Sequence, residues 1–355
     1  MNETVLITGG AGFIGSHLAE RLVERGRQII CLDNFDDYYP AEVKRSNLQR
    51  ALSSQRVSLE EADVRDREGL RSVLGTERVR VLVHLAARPG VRPSLQDPEL
   101  YLDVNVRGTL SVLAMAREFG VPRVVFASSS SVYGSIEGMA REEGTPCHPL
   151  SPYGASKVAA EALCSAYAHT GGPSVVALRF FTVYGPRQRP DMAINRFTRL
   201  IASGQEVGVH GAGHSLRDYT FISDIVDGIE AALEASLPGY HVFNLGRGQP
   251  VVLLDVIRLI EKGLEAKARI RFLPQPPGEP HLTYADIGKA GALLGYRPSV
   301  SIEEGIARYV RWFRERERFS PLSPAREGTV TVARPLASEL DEQGTVPHSR
   351  QDRGL

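Results

Sequence analysis

The chain has 355 residues, 42% of them apolar, with 42 Lys plus Arg balanced by 42 Asp plus Glu. That length and apolar content suit one large α/β domain with a smaller one. A formal net charge of +0 excludes the broad positive field that nucleic acid or an anionic membrane requires, so an anionic ligand has to be met by local Arg or Lys.

Thr4–Thr8 is the first of six short apolar runs, followed by Ile29–Asp33, Val57–Leu59, Val79–Leu85, Val124–Ser128 and Val175–Phe180. They are nearly continuous in Val, Ile and Leu, which predicts parallel strands covered on both faces. Helical patterns lie between them at Phe13–Arg25, Leu100–Phe119 and Tyr153–Ala168. Strand, helix, strand at this spacing predicts an α/β fold built on a doubly wound parallel sheet. Beyond it, helices near Ala193–Ser203, Ser223–Ala235, Val252–Ala266 and Ile302–Arg316 alternate with short strands, and Pro274–Pro280 forms a stiff connector. This half reads as a smaller lid domain. After about Phe319, Pro321, Pro324, Pro335 and Pro347 stand among charged and small residues without period, so 318–355 reads as a disordered tail. No internal repeat is present.

Met1–Glu3 has no basic segment leading into an apolar one, and no run approaches the length of a membrane span, so neither a signal peptide nor a membrane anchor is expected. Cys31, Cys147 and Cys164 are too few and too irregular for a disulfide frame or a zinc site. The histidines show no metal spacing either. Reduced thiols in the cytoplasm, and no bound metal, are the expectation.

Gly9, Gly12 and Gly15 follow the first strand and open the first helix. Gly9 permits a tight turn, Gly12 lets the backbone approach a pyrophosphate, and Gly15 lets helix and sheet pack closely. Asp33 ends the next strand, 18 residues beyond Gly15. A carboxylate there accepts hydrogen bonds from a ribose 2′-OH and repels a 2′-phosphate, which favours NAD over NADP. Asp63-Val64 after the third strand can hold an adenine edge. Leu85-Ala86-Ala87 ends the fourth strand with small residues where the backbone must pass close to a cofactor.

Ser151-Pro152-Tyr153-Gly154-Ala155-Ser156-Lys157 reads as a helix start, with Ser151 as cap and Pro152 in the first turn. Tyr153 and Lys157 then share one helix face. An ammonium beside a phenol favours the phenolate, the base that a proton transfer at neutral pH needs. The serines Ser128–Ser131 end the fifth strand, 24 residues before Tyr153 counting from Ser129. That edge of an open α/β sheet is where ligands bind.

The segment Gly9-Gly10-Ala11-Gly12-Phe13-Ile14-Gly15, the Ser129…Tyr153-x-x-x-Lys157 set and Arg217-Asp218-Tyr219 together resemble the extended short-chain dehydrogenase/reductase family of nucleotide-sugar enzymes, over about residues 3–317. The resemblance implies a Rossmann-like NAD-binding domain over 1–182 and a smaller α/β domain over 183–317 that mainly binds a UDP-sugar, with some segments free to return to the sheet. It implies Ser129, Tyr153 and Lys157 as the catalytic set. On the cofactor side it implies Phe13, Ile14, Asn34 and Asn105 beside the glycines, Asp33, Asp63, Val64, Leu85, Ala86 and Ala87. On the substrate side it implies Arg88, Ser129, Ser130, Thr182, Arg189 and Arg217. A homodimer is implied as well, its helices Leu100–Phe119 and Tyr153–Ala168 pairing through the small-residue stripe Ala155, Ala159, Ala162 and Ala166.

Within that family, dehydratases carry Thr-Asp-Glu where this chain has Ser129-Ser130-Ser131, and UDP-glucuronate decarboxylases carry Glu at the Ser131 position. The serines imply an epimerase instead. Asp33–Tyr39, Arg88–Ser94 and Arg179–Pro186 with Arg189-Pro190-Asp191-Met192 resemble UDP-glucuronate 4-epimerases. Thr182, where UDP-glucose 4-epimerases typically have Asn, and Arg189 would then receive the sugar carboxylate, and Arg217 the diphosphate. One departure is Glu279 in Pro277–Thr283, where the family has Asp. The alternatives are an epimerase of UDP-glucose or an N-acetylated UDP-sugar, and a catalytically silent NAD-binding regulator. A silent relative would be expected to have lost Tyr153 or Lys157.

Overall fold

The computed structural model describes residues 4–319 apart from Glu77 and Glu143; the tail expected to be disordered lies, from residue 320 on, outside the described residues. Twelve strands are found among them, β1 Thr4–Thr8, β2 Gln28–Asp33, β3 Val57–Glu61, β4 Val79–His84, β5 Arg123–Ser129, β6 Ser174–Phe180, β7 Thr182–Tyr184, β8 Glu206–His210, β9 Leu216–Phe221, β10 Tyr240–Leu245, β11 Pro250–Val252 and β12 Arg269–Leu273.

Seven of these form one sheet in the order β10-β6-β5-β4-β1-β2-β3, every pair parallel. The order reverses at β1, between β4 and β2, and a crevice opens there at the carboxyl edge. The apolar runs alternate after all, but between two buried faces. Val5 and Ile7 of β1, Ile29 and Cys31 of β2, and Val125 and Ala127 of β5 pack into one core. Leu6, Ile30, Leu32, Val124 and Phe126 pack into the other. Both faces being covered is why the strands read as continuous rather than alternating.

β10 lies in the half expected to form the lid, yet its residues Tyr240–Leu245 pair with Val175–Phe180 of β6. The same half also builds a three-stranded sheet, β11-β9-β7, and a two-stranded one, β12-β8. The amphipathic helices Ala193–Ala202 and Leu253–Leu264 bury Ile194, Phe197, Ile201, Val256, Ile257 and Ile260. Among the described residues, no helix is long and apolar enough to cross a membrane.

One expected helix is not continuous. Leu100–Phe119 comprises the end of a short α-helix, Pro98–Tyr101, a π-helical turn over Leu102–Arg107, and an α-helix over Gly108–Glu118. The cause is tertiary. Asn105 turns inward to bond the Arg88 carbonyl (3.0 Å) and the Ser156 hydroxyl (2.9 Å). Gly108 also passes so close to Val64 that a Cβ would stand 2.9 Å from its Cγ2. Neither demand is visible in a 3.6-residue period.

The first helix, Phe13–Glu24, starts at Gly12 without a side-chain cap. A Cβ at Gly15 would collide with the Gly9 carbonyl oxygen and stand 2.9 Å from the Gly10 Cα. Gly15→Ala is therefore expected to destabilise the fold by about 1–3 kcal/mol through backbone overpacking, read as a lower thermal unfolding midpoint. An unchanged midpoint would mean that the turn yields without cost.

Candidate active site

The carboxyl ends of β1, β2, β4 and β5 surround a cavity of ≈ 210 Å³, lined along its length by Gly9, Gly12, Asp33, Asp63, Ala86, Tyr153, Lys157 and Arg189 among others. The floor is backbone. Gly9 has φ +70°, and a Cβ on it would lie 2.8 Å from the Ala86 amide nitrogen. The Gly9 and Gly10 amides donate to the Leu32 carbonyl at 2.7 and 3.2 Å. This turn and the uncapped helix end make a cradle for a pyrophosphate.

Asp33 is buried and accepts from the amides of Ala11 (3.1 Å) and Phe35 (2.9 Å). Its carboxyl group is pushed up by burial, with the Lys44 ammonium and the two amides opposing. Lys44 stands 3.9 Å away and donates to the Asp36 carbonyl at 2.6 Å. Asp63 accepts from the Asn34 amide (2.8 Å) and from one edge of Arg65, Nε (2.9 Å) and Nη2 (2.8 Å). The Arg65 bonds hold its carboxyl down at about 2. Phe13, Ile14, Gly15, Asn34, Val64, Leu85 and Ala87 complete this end of the cavity wall.

At the other end, the helix Pro152–His169 begins as its sequence predicts. The Ser151 hydroxyl accepts from the Gly154 amide at 3.1 Å, and Pro152 occupies the first turn. Tyr153 and Lys157 both face the cavity. Lys157 is buried and donates from Nζ to the Ala127 carbonyl at 2.7 Å. Burial lowers its ammonium to about 8, with Cys164 and Glu161 opposing. Burial raises the Tyr153 phenol, while a hydrogen bond to the Ser129 side chain and the Arg189 charge lower it. Arg189 thus adds a cation beside the phenol, in the same cavity wall as the Lys157 to which the four-residue spacing points. The Tyr101 ring meets Tyr153 edge-on at 6.2 Å and fixes its plane.

Ser129 ends β5, and its hydroxyl accepts from the Ser131 amide at 3.1 Å. It reaches the site through Tyr153, not through the cavity wall. Ser130 opens a short 3-10 turn and does not line the cavity. Asn105, expected on the cofactor side, is also absent from the wall. Its amide and carbonyl are spent on Arg88 and Ser156, so it braces the wall from behind. Thr182 and Arg217 are not among the residues that line this cavity. Thr182 pairs with Tyr219 across β7 and β9. Arg217 donates to the carbonyls of Leu216 (3.0 Å) and His281 (2.9 Å), and burial lowers its guanidinium. Glu279, the departure from the family pattern, accepts from Arg92 Nε at 2.7 Å.

Arg88 and Arg189 bring positive charge to the wall. Arg88 is ion-paired with Asp36. Arg189 forms a two-point bond with Asp191, at 3.0 Å from Nε and 3.0 Å from Nη2. Tyr38 and Tyr39 stand in the stretch Asp33–Tyr39 that carries the resemblance, but sequence reasoning gave neither them nor Lys44 a role, and all three line the cavity. The signal was available in part, since all three lie on the segment that directly follows Asp33. A second group behind the base was missed too: Glu161 accepts from the Ser128 hydroxyl and from Arg179 Nε (2.9 Å) and Nη2 (2.6 Å).

Comparison with known proteins fits this geometry. The family model described as GDP-mannose 4,6 dehydratase matches residues 6–309. A UDP-glucuronate 4-epimerase of Thermodesulfobacterium geofontis is 38% identical over 311 residues, 87% of this chain and 96% of that protein. The crystal structure of a UDP-glucuronic acid 4-epimerase from Bacillus cereus, in complex with UDP-glucuronic acid and NAD, is similar with a TM-score of 0.84 and 36% identity, covering 88% of this chain and 99% of that one. A Thermus thermophilus UDP-glucose 4-epimerase in complex with NAD is similar with a TM-score of 0.80 and 34% identity, covering the same shares. Glycine turn, Tyr-x-x-x-Lys helix and family model agree: the chain belongs to the GDP-mannose 4,6-dehydratase-like family of extended short-chain dehydrogenase/reductases.

Proposed function

We propose that this protein is an NAD-dependent 4-epimerase of UDP-sugars that interconverts UDP-glucuronate and UDP-galacturonate. One observation carries the choice of sugar: the Arg189 guanidinium lines the same cavity as Tyr153, so a charged partner for a sugar acid stands beside the base. The relatives named for UDP-glucuronate support it. The segment after β5 supports it too, since Ser129-Ser130-Ser131 has no carboxylate to work at C5.

The residues fit NAD. The Gly9–Gly15 turn and the uncapped helix receive the pyrophosphate, Asp33 the ribose hydroxyls, and Asp63 with Val64 the adenine side. When bound, NAD supplies a hydride acceptor and donor and places a positive ring in the site. Tyr153 takes the proton of the C4 hydroxyl and returns it after the sugar has turned. Ser129 shares that proton through its bond to the phenol. Lys157, with an ammonium near 8, and Arg189 keep positive charge where the phenolate forms. Arg189 also holds the acid in place, because a C4 ketone makes the neighbouring carboxylate prone to leave. Residues 183–317 supply most of the UDP contacts, with Arg217 toward the diphosphate.

A second reading, UDP-glucose as substrate, is favoured by one feature. Asp191 already satisfies part of Arg189, so a neutral sugar leaves no bare charge behind. The deciding experiment follows both UDP-sugars by NMR with purified protein. UDP-glucuronate is expected to give UDP-galacturonate without CO2 and without net NADH. Arg189→Ala is expected to cut that turnover by about 10-fold or more, charged hydrogen bonds being worth roughly 1.5–3 kcal/mol each, and to spare UDP-glucose. Tyr153→Phe is expected to retain less than about a tenth of wild-type turnover while still binding NAD. A UDP-pentose as main product, or a preference for UDP-glucose that Arg189→Ala leaves unchanged, refutes the assignment.

Asp33 predicts the cofactor. Calorimetry is expected to give much tighter binding of NAD than of NADP, because a buried carboxylate meets the 2′-phosphate. Asp33→Ser should narrow the gap. Equal affinities in the wild type would remove Asp33 from this role.

The same reading makes the protein a cytoplasmic homodimer. Ala155, Ala162 and Ala166 of the small-residue stripe are exposed and Ala159 is half-buried, so the stripe is not spent on the protein's own sheet. Small residues allow a second copy's helices to approach closely. Light scattering at micromolar concentration is expected to give twice the chain mass, and a monomer mass refutes the pairing.

A further inference from the structure

Arg189 is anchored by more than its ion pair. Asp191 takes Nε at 3.0 Å and Nη2 at 3.0 Å, which together form one edge of the guanidinium. Nη1 has no partner among the described residues, and Arg189 lines the cavity. Asp191 Oδ2, which takes Nη2, also accepts from the Tyr38 hydroxyl at 3.2 Å. The Tyr38 ring lies against two guanidiniums, 5.6 Å from Arg189 and 5.0 Å from Arg88. Tyr38 in turn owes its place to Gly90, where φ is +103° and a Cβ would stand 2.7 Å from the Tyr38 hydroxyl.

A guanidinium presents five N–H donors in a rigid plane, and a carboxylate on one edge leaves the outer Nη1–Nη2 edge intact. An arginine without such a bracket sweeps many rotamers, and ordering it on binding costs affinity. We infer that Asp191 and Tyr38 are positioning residues that fix Arg189 by its inner edge and present its outer edge to the carboxylate of the bound sugar, so that they set the preference for an acidic over a neutral UDP-sugar. This rests on the UDP-glucuronate reading above. Asp191 bonds neither the nucleotide cradle nor Tyr153; its side-chain bonds go to Arg189 and Tyr38. Gly90 belongs to the same device, since any larger residue displaces the Tyr38 hydroxyl.

The test uses the full chain with NAD. Asp191→Asn keeps the size and removes the charge at an exposed position. It is expected to raise the KM for UDP-glucuronate about tenfold or more, since Asn offers one acceptor oxygen and no charge where the carboxylate offered two oxygens to the guanidinium edge. Affinity for UDP alone, measured by calorimetry, should stay within about twofold, because UDP lacks the sugar carboxylate that the outer edge of Arg189 would meet. Tyr38→Phe should raise the same KM by a smaller factor. In an Arg189→Ala background, Asp191→Asn should change kcat/KM by less than about twofold, as expected for two residues acting through one contact. An unchanged KM in Asp191→Asn overturns the inference. So does a parallel loss of UDP affinity, or a full effect without Arg189, because either assigns Asp191 to the loop rather than to the arginine. A wild type that turns over UDP-glucose but not UDP-glucuronate overturns the substrate reading itself, and this inference with it.

Discussion

Everything at this site depends on how closely one backbone turn can pass the end of a neighbouring strand. Gly9 lies against the Ala86 amide, and Gly15 against the carbonyl of Gly9. With side chains at either place, the first helix would stand off the sheet. Its N-terminal amides would then no longer converge on the crevice where the strand order reverses. The hydrogen bonds of Gly9 and Gly10 to Leu32 tie the same turn to β2, so the cradle and Asp33 move as one body. Ala11 completes the link through its bond to the Asp33 carboxylate.

The proton-transfer end is held by a different device, buried charge. Glu161, one helical turn beyond Lys157, joins Ser128 of β5 to Arg179 of β6. Lys157 adds a second tie, to the Ala127 carbonyl. The helix bearing Tyr153 is thereby pinned to the strand bearing Ser129. A buried ion pair of this kind adds little net stability, because desolvation offsets the attraction. It does fix orientation, and orientation is what a phenol and a hydroxyl sharing one proton require. Burial alone would leave Tyr153 a poor base. The Arg189 charge and the hydrogen bond to Ser129 act in the opposite direction to burial.

Charge at the sugar end is arranged in pairs. Arg88 is met by Asp36 and Arg189 by Asp191. In a chain with no net charge, both of these arginines on the cavity wall have an anion behind them. Such pairing keeps an arginine in place when no ligand is bound, and it leaves the site able to accept an acid without a large field around it.

The sequence by itself determined the parallel sheet, the glycine cradle with Asp33, and the helix carrying Tyr153 and Lys157. Each of these is written in local terms: apolar runs covered on two faces, a glycine spacing, and a cap followed by Pro and a four-residue interval. What depends on distant segments was not legible. The return of β10 to β6 is a long-range pairing with no local signature. The π-turn at Leu102–Arg107 comes from the inward pull of Asn105, which moves that residue from the cofactor side to the wall behind it. Thr182 and Arg217 match the family in sequence, but their place is set by β9 and its neighbours, through the pairing of Thr182 with Tyr219 and the bonds of Arg217 to Leu216 and His281. The bracket of Tyr38 and Asp191 around Arg189 joins positions 153 residues apart. Only the tertiary structure could decide that contact, because no period or motif in a chain records which side chains a fold will bring within hydrogen-bonding reach.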